Sequence, residues 1–156
     1  MQIAGITLLC FIGAVPLLVG CERASDSTTV ETMAGSSVKR INDPEQIATG
    51  QQVYQANCAG CHGENAAGAT NWRQPGADGR YPAPPLDGSG HAWHHSTAVL
   101  IQMIRNGSPD GQGNMPAWGD KLSEQDVRAV IAWFQSLWPD PVYAAWYDMQ
   151  QRSPSE

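Results

Sequence analysis

Five consecutive residues, Cys58-Ala59-Gly60-Cys61-His62, carry the most specific chemistry in the chain. Two thiols three positions apart with an imidazole directly after them form the C-x-x-C-H pattern of covalent haem attachment. At the end of a helical turn such thiols reach the two vinyl groups of one porphyrin, and the imidazole projects onto the iron from the same side. A bare C-x-x-C also serves as a redox dithiol or as half of a zinc site. Here Cys10 and Cys21 lie in an apolar N-terminal stretch, so no second pair completes a zinc site. No βαβ pattern surrounds the motif, as a thioredoxin-like site would require. One covalent haem c is the expected cofactor, attached through Cys58 and Cys61, with His62 as an axial ligand.

An iron held by one imidazole needs a second axial group. The candidates are Met33, Met103, Met115, Met149 and the histidines 91, 94 and 95. Met33 sits in a Ser/Thr-rich stretch, Met149 beyond the last periodic helix, and Met103 in an apolar stripe that reads as core. Met115 lies in a Gly-rich loop between Asn114 and Pro116, 54 residues after Cys61, and is the expected ligand. A thioether favours ferrous iron and so raises the reduction potential relative to two imidazoles. The segment Gly90-His91-Ala92-Trp93-His94-His95 crowds three imidazoles into five residues. It reads as a polar loop in which Trp93 and one histidine hydrogen-bond the propionate edge of the haem, or as a docking surface. Copper binding through His91, His94 and His95, or bis-histidine ligation, are the alternatives.

These groups need a scaffold, and caps and periodicity mark its elements. Asp43 stands as an N-cap before Pro44, with Ile47, Val53 and Tyr54 on one helical face and Gly50 where a second helix could cross closely. Ser96 opens another helix, with Val99, Leu100, Met103 and Ile104 inward and Gly107 closing it. Ser123 and Asp126 have capping-box spacing, with Asp in place of the usual Glu or Gln. The helix they open carries Val127, Val130, Ile131, Phe134 and Leu137-Trp138 on one face and stops at Pro139. Residues 64–83 form a loop in which Arg73 or Arg80 either pairs with a propionate or is solvated. No period-2 strand is evident. The fold class expected is all-α, with three to four helices packed around one haem.

From about Pro44 to Pro139 the chain resembles the class I c-type cytochromes. Gly50 and Tyr54, eight and four residues before Cys58, match the Gly and aromatic positions of that family's N-terminal helix. Pro84-Pro85-Leu86-Asp87-Gly88 is similar to its proline loop, and Asn114-Met115-Pro116-Ala117-Trp118-Gly119 to the segment bearing its methionine ligand. Trp133 falls where the family has an aromatic that packs on the N-terminal helix. The resemblance implies a small cytochrome c fold in which the Pro84 carbonyl accepts the Nδ1–H of the axial histidine. Pro84, Trp93 and Trp118 are then the expected neighbours of the haem and its ligands.

Residues 1–21 carry no charged side chain, and Leu18-Val19-Gly20-Cys21 resembles the lipobox of bacterial lipoproteins. The expected organisation is a signal peptide over 1–20, a flexible tether over 21–42 lipid-anchored through Cys21, a cytochrome c domain over 43–147 and a tail over 148–156. An uncleaved membrane anchor is the alternative to the lipid. Either places the domain on the periplasmic side of a bacterial membrane. A flexible segment of this length has an r.m.s. span of about 25 Å.

In 156 residues there is room for one small domain with extras, and nine Lys+Arg against fifteen Asp+Glu argue against nucleic-acid binding. An acidic balance suits redox partner proteins with a basic docking patch, with transfer slowed by salt. With His62 and Met115 filling both axial positions no site is open to substrate, so the chain reads as a one-electron carrier and not an enzyme by itself. The alternatives are a fixed electron-entry subunit of a terminal oxidase or periplasmic reductase, a haem sensor, and a copper-binding protein.

Overall fold

The computed structural model describes residues 28–153 except 33, 34 and 41, and in it the expected caps open the expected helices. The Asp43 carboxylate accepts the Glu45 backbone N–H at 2.9 Å, starting α1 over Pro44–Asn57. A single turn, α2 over Ala59–His62, follows with no more than Cys58 between them. Ser96 Oγ accepts the Val99 N–H at 3.3 Å to begin α3, Thr97–Asn106, which ends at Gly107. Ser123 and Asp126 bond each other's backbone in a complete capping box at the start of α4, Glu124–Ser136. Asp performs the return bond that Glu or Gln usually makes. Two short 3₁₀ turns, Ala92–His94 and Pro109–Gly111, punctuate the loops.

The frame is the crossing of α1 and α4. Gly50 is buried there, and a Cβ built on it would stand 2.0 Å from the Ala129 carbonyl oxygen and 2.8 Å from Trp133 Cβ. Only a residue without a side chain lets the helices approach so closely. One turn further on, fully buried Tyr54 lies against Trp133 with ring centres 4.2 Å apart. Val127, Val130, Ile131 and Phe134 complete the buried face of α4, as the periodicity anticipated.

Several elements differ from the sequence reading. The all-helical class holds, and the structure adds a fifth helix, α5 over Asp140–Arg152, so the path does not end at Pro139. Pro139 serves as its N-cap residue and Pro141 sits in its first turn, where a missing N–H costs nothing. Tyr143, Ala144 and Trp146 of α5 are buried, so the boundary expected at 147/148 falls inside a helix that packs on the domain. Part of the stretch read as tether is a hairpin: β1, Thr29–Glu31, pairs antiparallel with β2, Ser37–Lys39, Val30 opposite Val38.

Arg40 fastens that hairpin. Its guanidinium donates to the Trp138 carbonyl and, at 3.5 Å, to that of Ser136; it lies 3.6 Å from Asp140 and 4.4 Å from the centre of the Tyr143 ring. Leu137 and Val99, read as inward, are 40% and 43% exposed. Met103, read as core, is half-buried and lines an open groove of about 490 Å³ with Val99 and Gln102. Among the described residues no helix is long and apolar enough to cross a membrane. The signal segment, Cys21 and Met33 lie outside the described residues.

Candidate functional site

The junction of α1 and α2 places the three chemical groups. Cys58 N–H donates to the Tyr54 carbonyl at 2.8 Å, ending α1, and the Cys58 carbonyl accepts from Cys61 at 3.1 Å and His62 at 2.9 Å. One tight turn therefore carries both thiols and the imidazole. Cys58 is half-buried, Cys61 exposed, and both are free thiols. Burial, reinforced by the neighbouring Cys61, pushes the Cys58 thiol up to about 11.

His62 is buried, and its Nδ1 lies 2.8 Å from the Pro84 carbonyl oxygen. A carbonyl only accepts, so Nδ1 carries the proton and Nε2 keeps a bare lone pair. Burial, partly opposed by this hydrogen bond, holds the ring below the usual imidazole range and hence neutral. A neutral imidazole oriented through its second nitrogen is the form that binds a metal. Tyr54 adds a further brace, its phenol donating to the Gly63 carbonyl at 2.6 Å. Its burial, with the nearby Cys58 charge, drives the phenol pKa far up and keeps it a donor.

The proline loop reaches His62 through contacts that composition alone did not single out. Gly68 N–H donates to the His62 carbonyl at 2.8 Å, and Leu86 N–H to that of Ala66 at 2.7 Å. At Gly68, with φ 68°, a Cβ would lie 2.3 Å from Pro85 N and 2.6 Å from the Pro84 carbonyl carbon. Glycine is needed here on both counts. From the other side Trp138 Nε1 donates to the Leu86 carbonyl at 2.8 Å.

The Met115 loop is laced at two edges. Its backbone exchanges bonds with Ser108 at 3.0 and 3.3 Å, and Trp118 and Gly119 donate to the last carbonyls of α3, those of Ile104 and Arg105. On the far edge Tyr81 N–H donates to the Gln112 carbonyl at 2.8 Å, and Tyr81 bridges Gly113. Arg80 donates to Asn114 Oδ1 at 3.0 Å, while Asn114 Nδ2 donates to Asp78 at 3.3 Å. The Arg80 N–H, first, and Asn114 then hold the Asp78 carboxyl below its ordinary range. The same strand of chain that carries Tyr81 reaches Pro84 three residues later. Met115 itself is half-buried.

Two expectations about neighbours change. The Trp93 indole N–H donates to the Gly90 carbonyl at 3.1 Å, because the 3₁₀ turn folds the ring back on its own loop. It is therefore engaged within the protein. Arg73 lies 4.1 Å over the Trp72 ring and Arg80 is tied to Asn114, so neither is simply solvated. Trp118 is half-buried beneath Lys121 Nζ, 5.1 Å from its ring centre. The three loop histidines do not gather: among the described residues no group of three His, Cys, Asp or Glu side chains could hold a metal ion. Burial first, then neighbouring positive charge, lowers His91 and His95 below the usual imidazole range.

The donor set fits a haem c. Two unpaired thiols and a neutral, oriented imidazole stand on one turn, and a thioether stands on a loop braced to the segment that orients the imidazole. Cys58, Cys61 and His62 could hold the group from one side, and Met115 could complete it.

Residues 45–134, from the first turn of α1 nearly to the end of α4, match the model of the family described as cytochrome C oxidase, cbb3-type, subunit III. The Cbb3-type cytochrome c oxidase subunit CcoP of Azospirillum sp. (strain B510) is 34% identical over 95 residues, covering 61% of this chain and 30% of that protein. This chain thus spans less than a third of that relative's length. Cytochrome c6 of Cladophora glomerata is 33% identical over 90 residues, covering 56% of this chain and 85% of the relative. In fold the chain is similar to the crystal structure of cytochrome CL from Methylophaga aminisulfidivorans MPT, with TM-score 0.51 and 20% identity over 74% of this chain and 71% of that one.

Proposed function

The chain belongs to the family of cytochrome c oxidase, cbb3-type, subunit III, within the class I c-type cytochromes, and on that premise we propose that it is a one-electron carrier with a single covalent haem c. The observation that carries this reading is the buried His62 ring, its Nδ1 held 2.8 Å from the Pro84 carbonyl directly after the two cysteines. Bound there, the haem supplies a reversible Fe(III)/Fe(II) couple.

The chain's own residues do the rest. Cys58 and Cys61 fix the group's position, and Pro84 fixes the tautomer and plane of His62. Met115 would supply the second ligand to the iron and leave no opening for a substrate, which would make the protein a carrier and not an enzyme by itself. For the copper-triad alternative, no group of three His, Cys, Asp or Glu side chains that could hold the ion forms among the described residues. Cys21 and the apolar stretch before it suit export and lipid anchoring on the periplasmic side of a bacterial membrane.

One observation favours the fixed-subunit version of this role over a free shuttle. Arg40 clasps to the domain a hairpin that begins at Thr29, so residues 22–28 separate Cys21 from it. Even fully extended those residues span at most about 25 Å. The CcoP relatives carry the name of an oxidase subunit, and a short lead suits a carrier that serves one neighbouring complex.

The test is a visible spectrum of the haem-loaded protein, oxidised and reduced, with and without carbon monoxide. A low-spin spectrum with the far-red thioether-to-iron band, unmoved by carbon monoxide, is expected. Met115→Ala should keep the covalent haem, lose that band, bind carbon monoxide and show a lower potential. A wild-type protein that binds carbon monoxide readily would overturn the carrier reading. Copurification with an oxidase or reductase through mild detergent separates fixed subunit from shuttle.

A further inference from the structure

The three loop histidines part company in the fold. The His94 ring stacks on Trp93 at 3.6 Å between centres, and both border a cavity of about 290 Å³ with Asp148, Met149 and Arg152. His91 and His95 instead meet edge to face, with ring centres 5.6 Å apart and planes at 75°. We propose that His91 and His95 form a two-imidazole site for a single divalent transition-metal ion, copper(II) foremost.

The ring spacing admits a chelating pair. With metal–nitrogen bonds of about 2.0 Å, two imidazoles on one ion have ring centres about 4.5 Å apart at a right angle and about 6 Å apart in line. The observed separation lies between these limits. Neither ring makes a hydrogen bond to protein among the described residues. His91 is exposed and His95 half-buried, so an ion can approach from solvent.

Both rings stand on a fixed base. His91 stacks on Trp72 with centres 5.5 Å apart and planes at 20°. The His95 N–H donates to the carbonyl of buried Ala92 at 3.1 Å, and its carbonyl accepts the Trp146 indole N–H at 3.1 Å. The main chain that carries the pair is thus pinned to α5. Imidazole suits copper, and the affinity order of the divalent first-row metals puts Cu²⁺ above its neighbours.

No third protein ligand completes the site, since no triad of His, Cys, Asp or Glu forms among the described residues. Water fills the remaining positions and the ion exchanges readily. Arg73, whose charge acts on His91, tempers the affinity. The site is separate from Cys58, Cys61, His62 and Met115, and the inference does not rest on what the haem does.

The experiment is a copper(II) titration of the full-length, haem-loaded protein against a weak competing chelator, read by equilibrium dialysis and by electron paramagnetic resonance. One equivalent with two-nitrogen superhyperfine structure is expected. His91→Gln and His95→Gln should each weaken binding about tenfold or more, at least the scale set by partners that merely orient metal ligands. His94→Gln should not weaken it, and Arg73→Gln should tighten it. An unchanged haem spectrum in each variant reports that the fold is intact. The proposal is overturned if the double variant His91→Gln/His95→Gln binds copper as tightly as wild type, or if His94→Gln costs as much as either.

Discussion

Replacing Gly50 by alanine tests the frame on which the site is hung. In an exposed helix the change would favour α1 by about 1 kcal/mol, because glycine is the poorer helix former. Here the new methyl would meet the Ala129 carbonyl oxygen at 2.0 Å, its carbon at 2.5 Å and Trp133 Cβ at 2.8 Å. Two of these are backbone atoms and cannot swing aside. Moving from 2.0 Å to the 3.4 Å of ordinary contact means opening the α1–α4 crossing by about 1.4 Å. Gaps of that order forfeit at least a quarter to a half of the dispersion between facing atoms, and the Tyr54–Trp133 contact at 4.2 Å lies one turn away. Overpacking of this kind costs about 1–3 kcal/mol; at the upper end, where two of the clashing atoms are backbone, it outweighs the helix gain and leaves a net loss of about 2 kcal/mol. That is roughly a thirtyfold fall in the folded-to-unfolded ratio. Guanidinium unfolding of the haem-loaded protein, followed by far-ultraviolet circular dichroism and by the Soret band, measures it. Gly60→Ala is the control: a Cβ there meets nothing within 4 Å, and stability should hold or rise. A Gly50→Ala protein as stable as wild type would refute the close-crossing argument.

Arg40→Met should cost about 1–3 kcal/mol, because the Trp138 carbonyl loses its charged donor while the unpartnered Arg40 Nε offsets part of that loss. Limited proteolysis should then cut within 28–40 well before the helices; an unchanged cleavage pattern would show that the clasp does not hold the hairpin. For Asp78, whose carboxyl sits below the ordinary 3.8, the contribution to the Met115 loop is complete above that pH and is lost as the pH falls through the lower folded value. Asp78→Asn should weaken the far-red thioether band at neutral pH and remove its acid step below 3.8; identical acid curves for the two proteins would count against the Asp78–Asn114 brace.

What was legible in the sequence was local. Asp43-Pro44, Ser96 and Ser123 with Asp126 act within one turn, so their helices could be placed from neighbouring residues alone. The thiols and imidazole of residues 58–62 are likewise contiguous. The hairpin was hidden because each strand is three residues long and only Val30 turns inward, too little to show a period of two. Arg40 reads as a tether charge until its acceptors at Ser136 and Trp138, nearly a hundred positions on, are brought to it. Pro139 reads as a breaker, yet it and Pro141 sit where a helix begins. Gly68 and the division of the three histidines depend on which loops meet, and no spacing in the sequence states that.

The Arg40 clasp also orders events in time. It joins residues 98 apart, so it closes one of the longest loops among the described residues, and its contacts to Asp140 and Tyr143 need the last helix in place. Among the described elements the hairpin is made first and is fastened late. Until Trp138 and Tyr143 are in place, Arg40 lacks these partners. The N-terminal strand pair is therefore the latch of the fold, and its protection from hydrogen exchange should be the first to vanish as the molecule opens.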